Sequence, residues 1–175
     1  VVGGSLGAKV LNDIVPQAIS QIKQQQINVW HQTGKGHKQS VQDNYKQYAI
    51  AEQQLKVTEF IDDMAAAYSW ADVVICRAGA LTVSELAMVG KPAIFVPFPH
   101  AVDDHQTKNA MYLVNKNAAK LITQSEFNGT SLAQMLNSIF ISDTVVQSMS
   151  KAAYQAAQAD ATLNVAQICI KQSKP

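Results

Sequence analysis

The chain has 175 residues, of which 47% are hydrophobic and 15% are charged, and its net charge is +1. This composition excludes a disordered chain, and the length predicts one domain over residues 1–175. The lysines are scattered and Arg77 is the one arginine, which argues against a nucleic-acid partner because such proteins carry basic patches. No apolar run reaches the roughly 20 residues of a membrane-spanning helix and no signal peptide is visible, so we expect a cytoplasmic protein.

The first half of the chain predicts short strands that alternate with helices. Val1 and Val2 read as the end of a strand. Strands usually have about five residues, so this strand lacks its start, and we infer that the chain begins inside a larger protein. The elements predicted next are a helix with apolar residues at 10, 11, 14, 15 and 19, a strand over 27–30, a polar loop over 33–43, a strand over 55–60 and a helix over 64–70.

The second half repeats the alternation. Gly90 ends one helix as its C-terminal cap, and Pro92 follows. The predicted elements are a strand over 72–76, a turn over 77–80, helices over 82–89, 105–115, 132–139 and from 144 to the end, a buried strand over 93–96, a loop over 97–104 and an edge strand over 119–122. The alternation predicts an α/β fold, a Rossmann-like parallel sheet with helices on both faces. Ligands of such sheets bind where strand-to-helix loops meet at the carboxyl ends of the strands.

The first strand-to-helix loop contains Gly3, Gly4, Ser5 and Gly7. Its glycines let backbone N–H groups approach a phosphate at a helix N-terminus. A tight turn with Ser5 as the helix N-cap explains the same residues equally well. The spacing is not GxGxxG, so the dinucleotide fingerprint is absent from this loop.

The second such loop runs from Arg77 through Gly79 into a helix. Thr82 and Glu85 have the spacing of a capping box, which the pattern favours over a second interpretation, in which Glu85 binds ribose hydroxyls. Arg77 would pair with Asp62 or Asp63, which we favour slightly, or would face a ligand phosphate.

The strand predicted over 55–60 also ends in candidate residues. The ring of Phe60 would cover a nucleotide base and the backbone of Ile61 would bond to its edge, although the pattern by itself favours both as core residues. The simplest interpretation of Asp62 and Asp63 is that their negative charges interact with the helix dipole at the start of the next helix.

The loop over 97–109 is rich in polar residues. His100 and His105 lack the spacing of a metal site. An N-cap at Asp103 or Asp104 explains part of the polarity, and a sugar-binding edge would use the same groups. The cysteines, Cys76 and Cys169, lie far apart, and the simplest interpretation of Cys76 is a buried thiol.

Four segments together resemble the MurG family of bacterial N-acetylglucosaminyltransferases. They read VVGGSLGA at 1–8, VTEFIDDM at 57–64, CRAGALTVSE at 76–85 and DDHQ at 103–106. The resemblance covers residues 1 to about 109 closely and the rest more loosely. It implies the C-terminal half of a two-domain GT-B glycosyltransferase, which binds UDP-N-acetylglucosamine for inverting transfer to a lipid-linked muramoyl-pentapeptide in peptidoglycan synthesis.

The resemblance also implies roles for single residues. Ser5 would contact the donor phosphates, Phe60 and Ile61 the uracil, Glu85 the ribose and Gln106 the sugar hydroxyls. The implied donor-binding set is Ser5, Phe60, Ile61, Ala80, Leu81, Thr82, Val83, Ser84, Glu85 and Gln106. Leu6 and His105 stand where the family often has glutamine.

The partners that the resemblance implies lie mostly outside this chain. They are an N-terminal acceptor domain that carries the catalytic base, and the lipid-linked acceptor that this domain holds, on the cytoplasmic face of the membrane. We expect no metal or other cofactor for donor binding, and little transfer by this chain alone. The alternatives are the donor subunit of a split transferase, a protein like UDP-N-acetylglucosamine 2-epimerase, and a non-catalytic nucleotide-sugar-binding module.

Overall fold

The computed structural model describes residues 1–4, 6–22, 27–99 and 102–172. Within these ranges the strands are β1 (Val29–Gln32), β2 (Leu55–Thr58), β3 (Val74–Cys76), β4 (Ala93–Phe95) and β5 (Ala119–Leu121). The helices are α1 (Lys9–Ile19), α2 (Lys38–Gln47), α3 (Met64–Trp70), α4 (Ala80–Met88), α5 (His105–Val114), α6 (Gly129–Ile139), α7 (Asp143–Ala156) and α8 (Ala161–Gln172). The α/β alternation predicted from the sequence is confirmed.

The strands form one parallel arrangement. β1 pairs with β2, and β4 lies between β3 and β5. Val2 joins the two groups, because it forms parallel bridges to Gln32 at the end of β1 and to Cys76 at the end of β3. The spatial order is therefore β2, β1, the Val2 segment, β3, β4, β5. With the Val2 segment counted as the first strand, this is the 3-2-1-4-5-6 order of Rossmann folds.

Both faces of the sheet are buried. Alternate residues of a strand point to opposite faces, and in β3 Ile75 belongs to one core cluster whereas Val74 and Cys76 belong to the other. Ile94 and Phe95 divide between the clusters in the same way. Helices α1, α2 and α6 contribute to the first cluster and α3, α4 and α5 to the second, while α7 contributes Met149 to the first and Ala153 and Ala156 to the second. Helices therefore cover the sheet on both sides, as the sequence predicts.

One helix differs from the sequence prediction. The segment 33–43, predicted as a loop, contains the start of α2 (Lys38–Gln47). Its buried side chains are Val41 and Tyr45, which lie four residues apart and so share one face. The remaining residues are polar, which is why the segment resembles a loop.

Candidate functional site

The strand order places two glycine-containing turns next to each other. The chain moves outward in one direction from the Val2 segment to β2, and in the other direction from β3 to β5. The order therefore reverses between Val2 and β3, and ligands of open α/β sheets bind outside the strand ends at such a point. The loop that begins at Gly3 and the turn that begins at Arg77 both leave the sheet there, so these two segments form the centre of the candidate site.

The first glycine loop needs glycine at several positions. Gly4 and Gly7 have φ values of +85° and +74°, which side chains rarely adopt. A Cβ on Gly7 would also collide with the Thr33 carbonyl, whereas a Cβ on Gly4 would meet no atom within 4 Å. The loop is thus packed against Thr33 at its end and open at Gly4, as an anion-binding loop requires.

Helix α1 begins later than an N-cap at Ser5 would allow. Its N-cap is Ala8, which makes no side-chain capping bond, so the prediction of a Ser5 cap is wrong. The predicted phosphate contact of Ser5 lies outside the described residues, as does His100.

Helix α4 presents an open N-terminus at the second turn. Its N-cap is Gly79, with no side-chain capping bond, and the first N–H groups of a helix have no acceptor within the helix. Ala80, Leu81 and Thr82 carry these N–H groups, and 79% of the Leu81 side chain is exposed. Partial positive charge collects at this end of the helix, which therefore suits a phosphate group.

Among the other residues of this segment, Val83 and Ser84 differ. Ser84 is exposed, whereas Val83 is buried in the second core cluster. A contact from Val83 to a ligand would have to use its backbone.

The capping box predicted at Thr82 and Glu85 is absent from the structure. The helix begins at Ala80, so Thr82 is already its third residue and Glu85 lies about one turn inside. Instead, the Glu85 carboxylate accepts a hydrogen bond of 2.9 Å from the Tyr68 hydroxyl. Burial and this bond raise the pKa of Tyr68, so Tyr68 remains a donor that holds Glu85 in place.

Phe60 and Ile61 follow β2 and differ in exposure. The Phe60 side chain is 58% exposed, so its interpretation as a core residue is wrong, whereas Ile61 is 7% exposed and does pack inside. Asp63 caps α3, since its carboxylate accepts the Ala66 N–H at 2.9 Å. An exposed aromatic ring with a fixed backbone beside it fits a planar ligand group.

Gln106 lies at the start of α5. Its Oε1 accepts the backbone N–H of Phe98 at 2.9 Å, which ties the loop after β4 to this helix. Asp104 is the N-cap, as predicted, but it makes no side-chain capping bond to the helix and accepts the Thr107 hydroxyl at 2.7 Å instead.

Arg77 does not pair with Asp62 or Asp63. Its guanidinium donates to the carbonyls of Val96 and Pro97, each at 3.0 Å, and to Gln124 Oε1 at 2.8 Å. Partial burial lowers the pKa of Arg77. Pairing with Asp62 or Asp63 was the wrong prediction, because the guanidinium instead donates to carbonyls that follow β4 and to a side-chain oxygen that follows β5. Arg77 therefore holds together the loops that follow β3, β4 and β5.

Two residues that contribute to the site were missed from the sequence. Gln32 bonds to the first glycine loop and to Glu59, and Tyr68 bonds to Glu85. The available signal for Gln32 was a polar residue at the end of a buried strand, directly before Thr33 and Gly34.

A cavity of about 360 Å³ lies away from the glycine turns, although Ile61 and Tyr68 contribute to its lining. It opens at the amino-terminal ends of β1 and β3 and is lined by apolar groups such as Trp30, Trp70 and Phe140. Ligand groups of open sheets bind at the opposite ends of the strands, so we place the candidate site at the glycine turns.

Among the described residues, no group of three or more histidine, cysteine, aspartate or glutamate side chains is arranged to hold a metal ion. No helix in the described part of the chain has the length and apolarity needed to cross a membrane.

Comparisons with known proteins give consistent matches. Residues 1–165 match the glycosyltransferase family 28 C-terminal domain. The chain is 53% identical over 171 residues to the UDP-N-acetylglucosamine--N-acetylmuramyl-(pentapeptide) pyrophosphoryl-undecaprenol N-acetylglucosamine transferase of Colwellia psychrerythraea, with 97% of this chain and 44% of the relative covered. It is 54% identical over 169 residues to the protein of the same name from Psychromonas ingrahamii, with 97% of this chain and 47% of the relative covered.

Solved structures agree. The crystal structure of Acinetobacter baumannii MurG matches with a TM-score of 0.89 and 43% identity, over 97% of this chain and 50% of that one. A glycosyltransferase of kitacinnamycin matches with a TM-score of 0.54 and 18% identity, over 68% of this chain and 30% of that one, and shows the fold alone. The chain thus spans about half the length of the relatives it matches.

Proposed function

Because the chain belongs to the glycosyltransferase family 28 C-terminal domain family, we propose that it is the donor-binding half of a MurG-type N-acetylglucosaminyltransferase. It binds UDP-N-acetylglucosamine, the donor in the name of its relatives. The observation that carries this proposal is the pair of open glycine turns at the point where the strand order reverses. With an exposed aromatic ring and a tethered carboxylate nearby, they supply groups suited to each part of a nucleotide sugar.

The diphosphate occupies the space between the two turns. The N–H groups at the start of α4, from Ala80 to Thr82, donate to the phosphate oxygens, and the open backbone at Gly4 allows close approach from the other side. Ser5 adds a hydroxyl contact. These groups stabilise the negative charge that grows on UDP as it leaves, so donor binding requires no metal.

The nucleoside lies along α4 and the end of β2. Phe60 covers the uracil, and the backbone of Ile61 bonds to its edge. Glu85 accepts hydrogen bonds from the ribose hydroxyls, since a carboxylate has two acceptor oxygens and the Tyr68 hydroxyl uses one of them. Gln106 bonds to the sugar hydroxyls from the start of α5.

The complete reaction needs groups outside this chain. The acceptor hydroxyl of the lipid-linked muramoyl-pentapeptide attacks the anomeric carbon, the bond to UDP breaks and the configuration inverts. An N-terminal acceptor domain of the same enzyme supplies the general base and holds the lipid-linked acceptor at the cytoplasmic face of the membrane. Separated from that domain, the chain binds donor and transfers little.

Thermal unfolding with UDP-N-acetylglucosamine tests the donor site. At about 100 times its dissociation constant the ligand adds about 2.7 kcal/mol of stability, which raises Tm by roughly 5–10 °C for a chain of this size. Glu85→Gln keeps an acceptor for Tyr68 but removes the charge, so it should reduce this rise. The absence of any rise with UDP ligands in the unmodified chain would refute a self-sufficient donor site.

Two control variants separate the ribose contact from its support. Tyr68→Phe removes the bond that holds Glu85 and should weaken donor binding less than Glu85→Gln does. Glu52→Ala removes an exposed carboxylate at the amino-terminal end of β2, opposite to the strand ends at the glycine turns, and should leave the ligand-induced rise unchanged. A loss of the rise in Glu52→Ala would point to a general effect of charge.

A further inference from the structure

The side chain of Gln32 lies at the centre of the candidate site and is only 3% exposed. Its Oε1 accepts the N–H of Gly3 at 3.1 Å. Its Nε2 donates to the carbonyl of Gly4 and to the carbonyl of Glu59, each at 2.9 Å. The amide thus uses both of its N–H groups and its oxygen, and all three partners are backbone atoms.

These partners belong to two segments that are far apart in the sequence. Gly3 and Gly4 open the first glycine loop, whereas Glu59 directly precedes the exposed ring of Phe60. Each accepting carbonyl also takes a backbone hydrogen bond. The Gly7 N–H donates to Gly4 O at 2.8 Å within the loop, and the Gly34 N–H donates to Glu59 O at 3.1 Å, which joins the segments that follow β1 and β2. One side chain therefore connects the loop placed against the diphosphate with the segment placed against the base.

We propose that Gln32 is a positioning residue of the nucleotide site, which holds the first glycine loop and the Glu59–Phe60 backbone in one fixed relation. This proposal rests on the proposed donor site. A ligand that contacts both segments binds best when their separation is set before it arrives, because binding then orders fewer groups. Gln32 itself touches neither phosphate nor base and acts through the backbone of its two neighbours.

Two variants of nearly equal size test the role. Gln32→Met removes all three hydrogen bonds. Gln32→Glu keeps an acceptor for the Gly3 N–H but places a carboxylate oxygen against the carbonyls of Gly4 and Glu59, which lose their donor. Ile139→Val serves as the control, because it opens a small space in the core on α6, a helix to which neither segment belongs.

The first readout is amide hydrogen exchange of the chain without ligand. Gln32→Met should raise the exchange rates of Gly3, Gly7 and Gly34 by about tenfold or more relative to amides in the core strands. Gln32→Glu should raise the rates of Gly7 and Gly34 while Gly3 stays protected. Ile139→Val should change none of the three selectively.

The second readout is the affinity for UDP by calorimetry. Both Gln32 variants should bind UDP about tenfold more weakly or worse, and Ile139→Val should bind as the unmodified chain does. A rise of local exchange in Gln32→Met, together with no UDP binding by the unmodified chain, would support the coupling of the two segments and refute the proposed donor site. Exchange that is unchanged, or that rises equally in all strands, would overturn the positioning role. So would undiminished UDP affinity in Gln32→Met.

Discussion

Gly79 occupies a position where the backbone does not require glycine. Its φ is −64°, which any residue adopts, and an added Cβ would find its nearest neighbour, Thr82 Oγ1, at 3.7 Å. Gly7 differs on both counts, because its φ is positive and a Cβ there would collide with the Thr33 carbonyl. In the proposed donor site, glycine at position 79 leaves room for the phosphate at the start of α4.

Substitution of Gly79 by alanine should separate binding from stability. Gly79→Ala should change the free energy of unfolding by less than about 1 kcal/mol, because the methyl group fits the free protein. The affinity for UDP should fall about tenfold or more, since the methyl group lies in front of the helix N–H groups. Chemical denaturation and calorimetry on the same sample measure the two effects, and unaltered UDP affinity would place the phosphate elsewhere.

At Glu85 the local pattern gave two interpretations and favoured the wrong one. The spacing from Thr82 to Glu85 predicted a capping box, which is absent because the helix already starts at Ala80. The ribose contact of Glu85 follows from the family resemblance and stays a prediction. Gln32 and Tyr68 were not predictable. Their partners lie 17 to 29 residues away in sequence, and only the folded sheet brings them together.

The joint between α4 and α7 depends on Gly90. The residue has a φ of +63°, its N–H donates to Ala87 O at 3.1 Å, and the next N–H, of Lys91, donates to Leu86 O at 2.9 Å. These two bonds form a Schellman motif. The Ser150 hydroxyl of α7 donates to the Gly90 carbonyl at 2.6 Å, so a hydrogen bond joins the C-terminal end of α4 to the side of α7.

Gly90→Ala should destabilise the fold by more than backbone strain alone. Left-handed backbone costs a non-glycine residue about 1–2 kcal/mol, and here the new Cβ would also lie 3.2 Å from Tyr154 Cβ. Gly36→Ala is the matched control, because Gly36 has a φ of +80° with no atom within 4 Å of the added Cβ. Urea denaturation of both variants gives the difference, and equal losses would show that the contact with α7 has no effect.

Helices with a strong apolar pattern were predicted, and α2 was not. Only Val41 and Tyr45 of its ten residues are buried, so the segment lacks the broad apolar stripe by which amphipathic helices are identified. Its position becomes evident only from the polar contact of Tyr45 with β1. Sequence patterns therefore predicted the elements whose packing is apolar, and failed where a buried hydrogen bond does part of the packing.

Across the whole molecule, one buried histidine links three elements. The Asn12 amide donates to the Thr33 carbonyl at 3.0 Å, so its oxygen faces His31 Nε2, also at 3.0 Å. Nε2 must therefore carry the proton, and Nδ1 accepts the Tyr45 hydroxyl at 2.9 Å. Burial lowers the pKa of His31 well below its usual value of 6.5.

This histidine makes the stability of the whole chain depend on pH. A pKa that is lowered by folding means that the unfolded chain binds a proton first, so stability is unaffected well above pH 6.5 and falls as the pH drops below it, toward the folded pKa. The loss should approach about 1.4 kcal/mol per pH unit. Urea unfolding at pH 7.5 and 5.5 tests this prediction, with His31→Gln as the variant that should lose less stability over that interval. Equal losses in both proteins would show that other groups are responsible.

The sheet was predictable as a class but not in its order. Alternating short apolar runs and helices indicate a parallel α/β sheet, and the edge position of β5 agrees with its sequence. The insertion of the Val2 segment between β1 and β3 rests on two single bridges to Gln32 and Cys76. No local signal at Val2 identifies these neighbours, since residues 30 and 74 positions away provide them.

The same separation governs when the site appears during folding. Val2 and Cys76 can meet only after the intervening chain has closed a long loop, and contacts of this kind form slowly. Helices such as α6 and α7 need no distant partner to begin. Competence to bind a nucleotide should therefore arise late in refolding, after most of the helical signal has recovered. A fluorescent UDP analogue added to refolding protein would report the moment at which the two halves of the sheet join.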